Sequence, residues 1–140
     1  MALPHEMTHV LLADRFAGTQ PPPWLDEGIA TLADSAAKQQ RHLNDLRAVT
    51  TRSGRQSIAQ MLNHEGPIPG NQRARFYGQS IALAKVLTHL DAPTKIFEFA
   101  AEAERTSPER ALRSVYKLDL HELDRRIFEL TFSADLAHQN

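Results

Sequence analysis

Two histidines and a glutamate near the start of the chain have the spacing of a metal-binding helix. His5, Glu6 and His9 lie in the stretch HEMTH. Positions four apart on an α-helix differ by about 40° around the axis, so His5 and His9 would project from one face. Two imidazoles at that spacing can hold one zinc ion, and Glu6 would reach a water molecule beside it. The alternative is a half-exposed pair of helix histidines with Glu6 as a surface charge.

A candidate for the third metal ligand lies in WLDEGIA, residues 24–30. Catalytic zinc commonly has three protein ligands, and Glu27 is in the first turn of a second predicted helix. Prolines 21–23 would turn this helix back onto the first one. Gly28 costs about 1 kcal/mol of helix propensity relative to alanine, which indicates that two helices approach closely here. The alternative for Glu27 is a favourable charge near a helix N-terminus.

Two polar residues, Thr31 and Asp34, fall on the same predicted helical face as Trp24 and Glu27. Either of them could accept or relay a hydrogen bond from the free ring nitrogen of a ligating histidine. Simple solvation is the alternative for Asp34. Both interpretations stay open for Thr31 and Asp34.

Helices would position all of these residues, because no alternating stretch of convincing length predicts a strand. Ser107 is the predicted N-cap of one helix, and Pro108 its first residue. Residues 41–55 are polar and are not assigned. The other predicted helices cover residues 3–16, about 23–40, 57–64, 72–90, 94–105 and a last helix through 123–130. The sequence therefore predicts an all-α or nearly all-α helical bundle, with one domain over residues 1–132 and a frayed tail over 133–140.

Composition is that of one globular domain, with 140 residues, 41% of them hydrophobic and 24% charged. The net charge of -1 gives no electrostatic basis for binding nucleic acid or an anionic membrane. Because the chain has no cysteine, disulfides and thiolate metal sites are excluded, and any metal must be held by histidine and carboxylate. No apolar run approaches the length of a membrane span, and no signal pattern precedes the first motif. The cellular location is not predicted.

Two further His-Glu pairs do not predict a metal site. His64 and Glu65 are followed by Gly66 and Pro67, which block a second ligand on the same helix. His121 and Glu122 are followed by Arg125 where a second histidine would be needed. Both pairs are interpreted as ordinary surface residues.

HEMTH followed by WLDEGIA resembles the gluzincin zinc metallopeptidases, and most closely the peptidase MA-like domains of bacteria. The resemblance implies that His5, His9 and Glu27 bind Zn²⁺ and that Glu6 is the general base in peptide-bond hydrolysis. The stretch FYGQS, residues 76–80, is similar to the Tyr-x-Gln-Ser segment of that family. This similarity implies that Tyr77 stabilises the oxyanion. The alternative is a buried core tyrosine with a hydrogen-bonded hydroxyl group.

Gluzincin domains place a β-sheet before the first motif, and an edge strand of that sheet binds extended substrate. At most four residues precede His5, so the chain resembles the helical C-terminal half of such a domain, without the sheet. Its expected partners are a peptide or protein substrate and, for the apolar side of the first helix, a second copy or a missing N-terminal region. The residues expected on that apolar side are Met7, Val10, Leu11 and Phe16.

Two other functions remain open from the sequence. One is a catalytically inert zinc-binding helical module or fragment with an interaction or structural role. The other is a small cytoplasmic HExxH protease that cuts a repressor and takes its substrate groove from elsewhere.

Overall fold

The computed structural model describes residues 21–138, apart from residues 55 and 65. Within these residues the backbone forms helices joined by short connections and contains no strand, which confirms the predicted all-α fold. The helices are α1 (Pro23–Leu32), α2 (Ala36–Ser53), α3 (Ile58–Asn63), α4 (Arg73–Leu90), α5 (Lys95–Arg105), α6 (Pro108–Tyr116) and α7 (Leu120–His138), with a 3-10 turn (Gly70–Gln72) before α4. The helix predicted over residues 3–16 lies outside the described residues.

Serine side chains cap the starts of three described helices, and the sequence predicts one of these caps, at Ser107. The Oγ atom of Ser107 accepts a hydrogen bond from the backbone N–H of Arg110 at 3.2 Å, and Pro108 is the first residue of α6. The Oγ atom of Ser57 accepts one from the backbone N–H of Gln60 at 3.1 Å and so begins α3. Each cap satisfies an N–H group that the helix itself leaves without a partner.

The second predicted helix is in fact two helices. Helix α1 ends at Leu32, and Ser35 is the N-cap of α2. The Gln39 side-chain amide donates hydrogen bonds to the backbone carbonyls of Leu32 and Asp34, both at 3.0 Å. These bonds satisfy carbonyls at the end of α1 without continuing the helix. The prediction of a single helix to about residue 40 is therefore wrong, and the stretch that the sequence left unassigned belongs mostly to α2.

The last helix extends further than the sequence indicates. The Asp119 carboxylate accepts a hydrogen bond from the backbone N–H of Glu122 at 2.8 Å and caps the start of α7. Helix α7 then continues past Phe132 to His138, through most of the segment predicted to be a frayed tail. Whether its last turns open in solution stays a prediction.

Helix α4 lies at the centre of the packing. It contacts α1 and α2 extensively and also contacts α7. The continuous run Gly78–Ala84 is buried, so α4 faces the core on more than one side. The apolar side chains of Phe76, Leu83, Val86 and Leu87 on this helix are buried, and Leu90 is partly exposed at its end. None of the described helices is long and apolar enough to cross a membrane.

Gly28 allows α1 to lie almost directly on the backbone of α4. A Cβ atom at this position would lie 2.8 Å from the Ser80 carbonyl oxygen and 3.1 Å from the Ala84 Cβ atom. The close approach predicted from Gly28 is therefore present, and its partner within the described residues is α4. Because Glu27 precedes this contact, the contact fixes where α1 carries the Glu27 side chain relative to α4.

Candidate functional site

Two of the predicted site residues, Glu27 and Tyr77, line the same cleft. The cleft has a volume of about 990 Å³. Its walls are formed by α1 and the prolines before it, by the end of α3 and the segment after it, by α4 and α5, and by the first residue of α6. Glu27 comes from α1 and Tyr77 from α4, and both side chains are half-buried. The other predicted site residues, His5, Glu6 and His9, lie outside the described residues. Their position relative to the cleft stays a prediction.

The first turn of α1 is anchored in the core, and this anchoring positions Glu27. Pro23 is the first residue of the helix, and its fixed φ angle favours a helical start. The Trp24 ring is buried, with its centroid 5.6 Å from that of Phe99 on α5. Since residues three apart on a helix are neighbours, Trp24 and Glu27 share one side of α1, and both line the cleft.

Tyr77 stands on the cleft wall with its hydroxyl group free of hydrogen bonds to any other residue that the structure describes. Burial raises the pKa of the Tyr77 phenol above its usual value, and the Glu27 carboxylate raises it further. The Arg73 guanidinium acts in the opposite direction and lowers this pKa. The phenol therefore stays protonated at neutral pH and can donate a hydrogen bond to a ligand in the cleft.

The charge contributions to the pKa of Tyr77 predict opposite effects of two substitutions. Glu27→Gln removes a negative charge and should lower the pKa of Tyr77, whereas Arg73→Gln should raise it. Phenolate absorbance in metal-free protein measures this, in a Tyr116→Phe background that leaves Tyr77 as the only tyrosine. The Tyr116 hydroxyl is buried without a hydrogen-bond partner in the described structure, so its removal breaks no bond.

The sign of the pH dependence follows from the raised pKa. The neutral phenol is favoured in the folded state, so its contribution to stability is complete below the unfolded-state pKa of about 10 and is lost as the pH rises through the folded-state value. The control for the titration of Tyr77 is Glu104→Gln. This substitution removes a carboxylate of the same cleft that does not affect the pKa of Tyr77. An unchanged Tyr77 titration in Glu27→Gln would show that the carboxylate and the phenol are not neighbours.

The remainder of the FYGQS segment has structural roles. Phe76 is buried in the core. The fully buried Gln79 side chain donates to the Gln56 carbonyl oxygen and accepts from the Gln56 N–H, both at 2.9 Å. These two bonds hold Gln56, which lies just before α3, against α4. They also satisfy the backbone N–H and carbonyl groups of Gln56. Sequence reasoning missed this role, although an amide in the middle of an apolar helix was a signal for a buried polar contact.

Arg73 and His64 also line the cleft, and neither was predicted from the sequence as a site residue. The spacing of four between Arg73 and Tyr77 could have indicated that they share a helical face. His64 is half-buried, with its ring centroid 5.5 Å from that of Phe76 and its Nε2 atom 3.2 Å from the Gly66 carbonyl oxygen. His64 is therefore a surface residue of the cleft wall that also contacts the buried Phe76 ring.

Thr31 lies on α1 together with Trp24 and Glu27, as predicted, whereas Asp34 lies beyond the end of that helix. The buried Thr31 hydroxyl donates a hydrogen bond to the Glu27 backbone carbonyl at 2.5 Å, so its hydrogen is used within α1. Asp34 follows the end of α1 at Leu32 and is not on that helical face. The hydrogen bonds predicted from these residues to the two N-terminal histidines involve residues outside the described part and stay predictions.

Glu27 fits one position of the predicted zinc site. A glutamate oxygen is an accepted zinc ligand, and this carboxylate is half-buried at the wall of an open cleft. Within the described residues, no group of three His, Asp or Glu side chains could hold a metal ion. The predicted set of two histidines and one glutamate would need His5 and His9, which lie outside that part of the chain.

No family model, curated protein or solved structure matches the chain in comparisons with known proteins. The resemblance to gluzincins therefore depends on the short motifs HEMTH, WLDEGIA and FYGQS. A function has to be inferred from these motifs and from the cleft where two of them meet.

Proposed function

We propose that the chain is a zinc-dependent metallopeptidase that hydrolyses peptide bonds. The observation that carries the proposal is the position of Glu27 and Tyr77 on one cleft, where the carboxylate raises the pKa of the phenol. The two residues belong to separate segments that both resemble gluzincin motifs. Direct packing of α1 on α4 brings these segments together. A carboxylate ligand and a hydrogen-bond donor beside one cleft are components that this hydrolysis requires.

The proposal assigns His5, His9 and Glu27 as the residues that would hold zinc. Two imidazoles and one carboxylate form a ligand set typical of catalytic zinc. Zinc held in this way would supply a Lewis acid that makes water nucleophilic near neutral pH.

Proton transfer is assigned to Glu6, and oxyanion stabilisation to Tyr77. Glu6 takes a proton from the attacking water and later delivers it to the leaving amine. Tyr77 donates a hydrogen bond to the oxygen of the scissile carbonyl as negative charge develops there. Its raised pKa suits this role, because the phenol keeps its proton over the neutral pH range. The cleft that Tyr77 and Glu27 line accommodates the substrate.

Zinc affinity tests the ligand assignment. Wild-type protein should bind about one zinc ion per chain, since the three ligands define one site. Glu27→Gln should weaken that affinity at least about tenfold, because the amide is neutral and binds the cation less strongly. Competition with a chromophoric chelator measures both values.

The matched control is Glu104→Gln, a substitution of an exposed carboxylate that lines the same cleft. This variant should keep wild-type zinc affinity. His9→Ala should lose zinc, because the substitution removes a ligand without a replacement. Full zinc occupancy in a chain that lacks His5, His9 and Glu27 would exclude the proposed site.

A further inference from the structure

Arg73 places a positive charge in the cleft beside Tyr77. It is the first residue of α4, its side chain is exposed, and it lines the cleft. Because Arg73 and Tyr77 are four residues apart on one helix, their side chains lie on the same face. The effect of Arg73 on the pKa of Tyr77 is consistent with this proximity. A group that contacts the Tyr77 hydroxyl would therefore lie within reach of the guanidinium.

Among the residues that the structure describes, none gives Arg73 a stabilising ion pair. Within the described residues, no side chain forms an ion pair or a hydrogen bond with its guanidinium. A cation in the first turn of a helix is also unfavourable for the helix dipole, and no acidic residue in that turn offsets it. No described residue therefore uses the hydrogen-bonding capacity of the guanidinium, which can serve a ligand in the cleft.

The chemistry of the guanidinium defines the group that it would bind. Its planar array of N–H donors matches the two oxygens of a carboxylate, which a lysine ammonium does not. Other charged residues on the cleft wall, Asp26, Glu27 and Glu104, are acidic and repel a carboxylate. A carboxylate in this cleft is therefore favoured beside Arg73, which would fix the orientation of a bound chain.

We propose that Arg73 is a specificity-determining residue that binds a carboxylate of the peptide substrate next to Tyr77. The inference rests on the proposed function in that the ligand is a peptide. The carboxylate is either the free C-terminus or an Asp or Glu side chain. Apolar residues that also line the cleft, Ile68, Ala100, Ala103 and Pro108, accommodate a neighbouring apolar side chain of the substrate.

Peptide binding tests the proposal without requiring turnover. The protein is the full-length Glu6→Gln variant with zinc added, which is not expected to cleave the ligand. Two N-acetylated peptides of identical sequence end in leucine, one as the free acid and the other as the amide. A second pair, both amidated, differs by an internal glutamate or glutamine. Calorimetry at low and high ionic strength gives the dissociation constants.

The acid form of at least one pair should bind about 5- to 10-fold more tightly than its neutral counterpart, and less so at high salt. The pair that shows the preference identifies the source of the carboxylate. Adding Arg73→Gln should reduce the preference to within about twofold, and Arg73→Lys should restore part of it. The control Arg110→Gln removes an exposed arginine from the first turn of α6, outside the cleft, and should keep the full preference.

Three outcomes would overturn the proposal: no peptide binding, equal binding within both pairs, or a preference that persists in Arg73→Gln. Hydrolysis by the wild-type chain is measured separately. Cleavage without a carboxylate preference would leave the proposed function standing and remove the role of Arg73. A carboxylate preference that depends on Arg73, in a chain that cleaves no peptide, would support the role of Arg73 and exclude the peptidase function. The cleft would then be a peptide-binding site.

Discussion

Replacing Glu6 with glutamine should reduce peptide cleavage at least about 100-fold while zinc stays bound, because a positioned general base contributes about 10²–10⁴ to the rate. Glutamine has nearly the same shape as glutamate but cannot take a proton from water at neutral pH. Glu6 is not assigned as a ligand, so the zinc affinity should be unchanged. Initial rates on quenched fluorescent peptides, combined with chelator competition, measure both properties on the same preparations.

The Glu6→Gln comparison also separates the enzyme from its main rival, a catalytically inert zinc-binding helical module. That rival binds zinc in both proteins and cleaves peptides in neither. The control Glu104→Gln should keep wild-type cleavage, because this exposed carboxylate is outside the assigned machinery. Measurable and equal cleavage rates in wild type and Glu6→Gln would show that another group, or a contaminating peptidase, is responsible for the cleavage.

Local sequence signals predicted most helix starts correctly. Ser57 and the Ser107–Pro108 pair act through contacts with N–H groups in the next turn, and such contacts depend little on the rest of the fold. The boundary between α1 and α2 was missed because Ser35 is flanked by alanines and other residues that also suit the interior of a helix. The cap at Ser35 and the hydrogen bonds from Gln39 favour two separate helices over one continuous helix.

The site shows the same division between local and long-range information. Gly28 indicated a close helix contact, but its partner, α4, lies far along the chain and no local pattern identifies it. Tyr77 was predicted only through resemblance to a known motif, whereas the position of Glu27 in the first turn of a helix also indicated a metal ligand. Arg73 and His64 were missed because a residue becomes part of a cleft wall through tertiary packing. The spacing of residues in the sequence does not by itself predict that packing.

Gly78, in the middle of the FYGQS segment, should be the glycine least tolerant of a larger side chain among those that the structure describes. A Cβ atom at this position would lie 2.5 Å from the Leu46 Cβ atom and 3.0 Å from the His42 carbonyl oxygen. Neither atom is the far end of a flexible side chain, so α2 and α4 would have to separate. Gly78→Val should therefore lower the free energy of unfolding by at least about 3 kcal/mol, measured by urea denaturation.

The matched control is Gly70→Val, because a Cβ atom at Gly70 would meet nothing within 4 Å and its φ angle is not positive. That variant should stay within about 1 kcal/mol of wild type, since a surface substitution without contacts has a small effect. Comparable stability of the two variants would show that α2 does not lie tightly against α4. The distinction matters for the site, because Tyr77 directly precedes Gly78 and the α2 contact fixes the rotation of α4. If Gly78→Val folds at all, it should alter the direction of the Tyr77 side chain and, with it, the titration of the phenol.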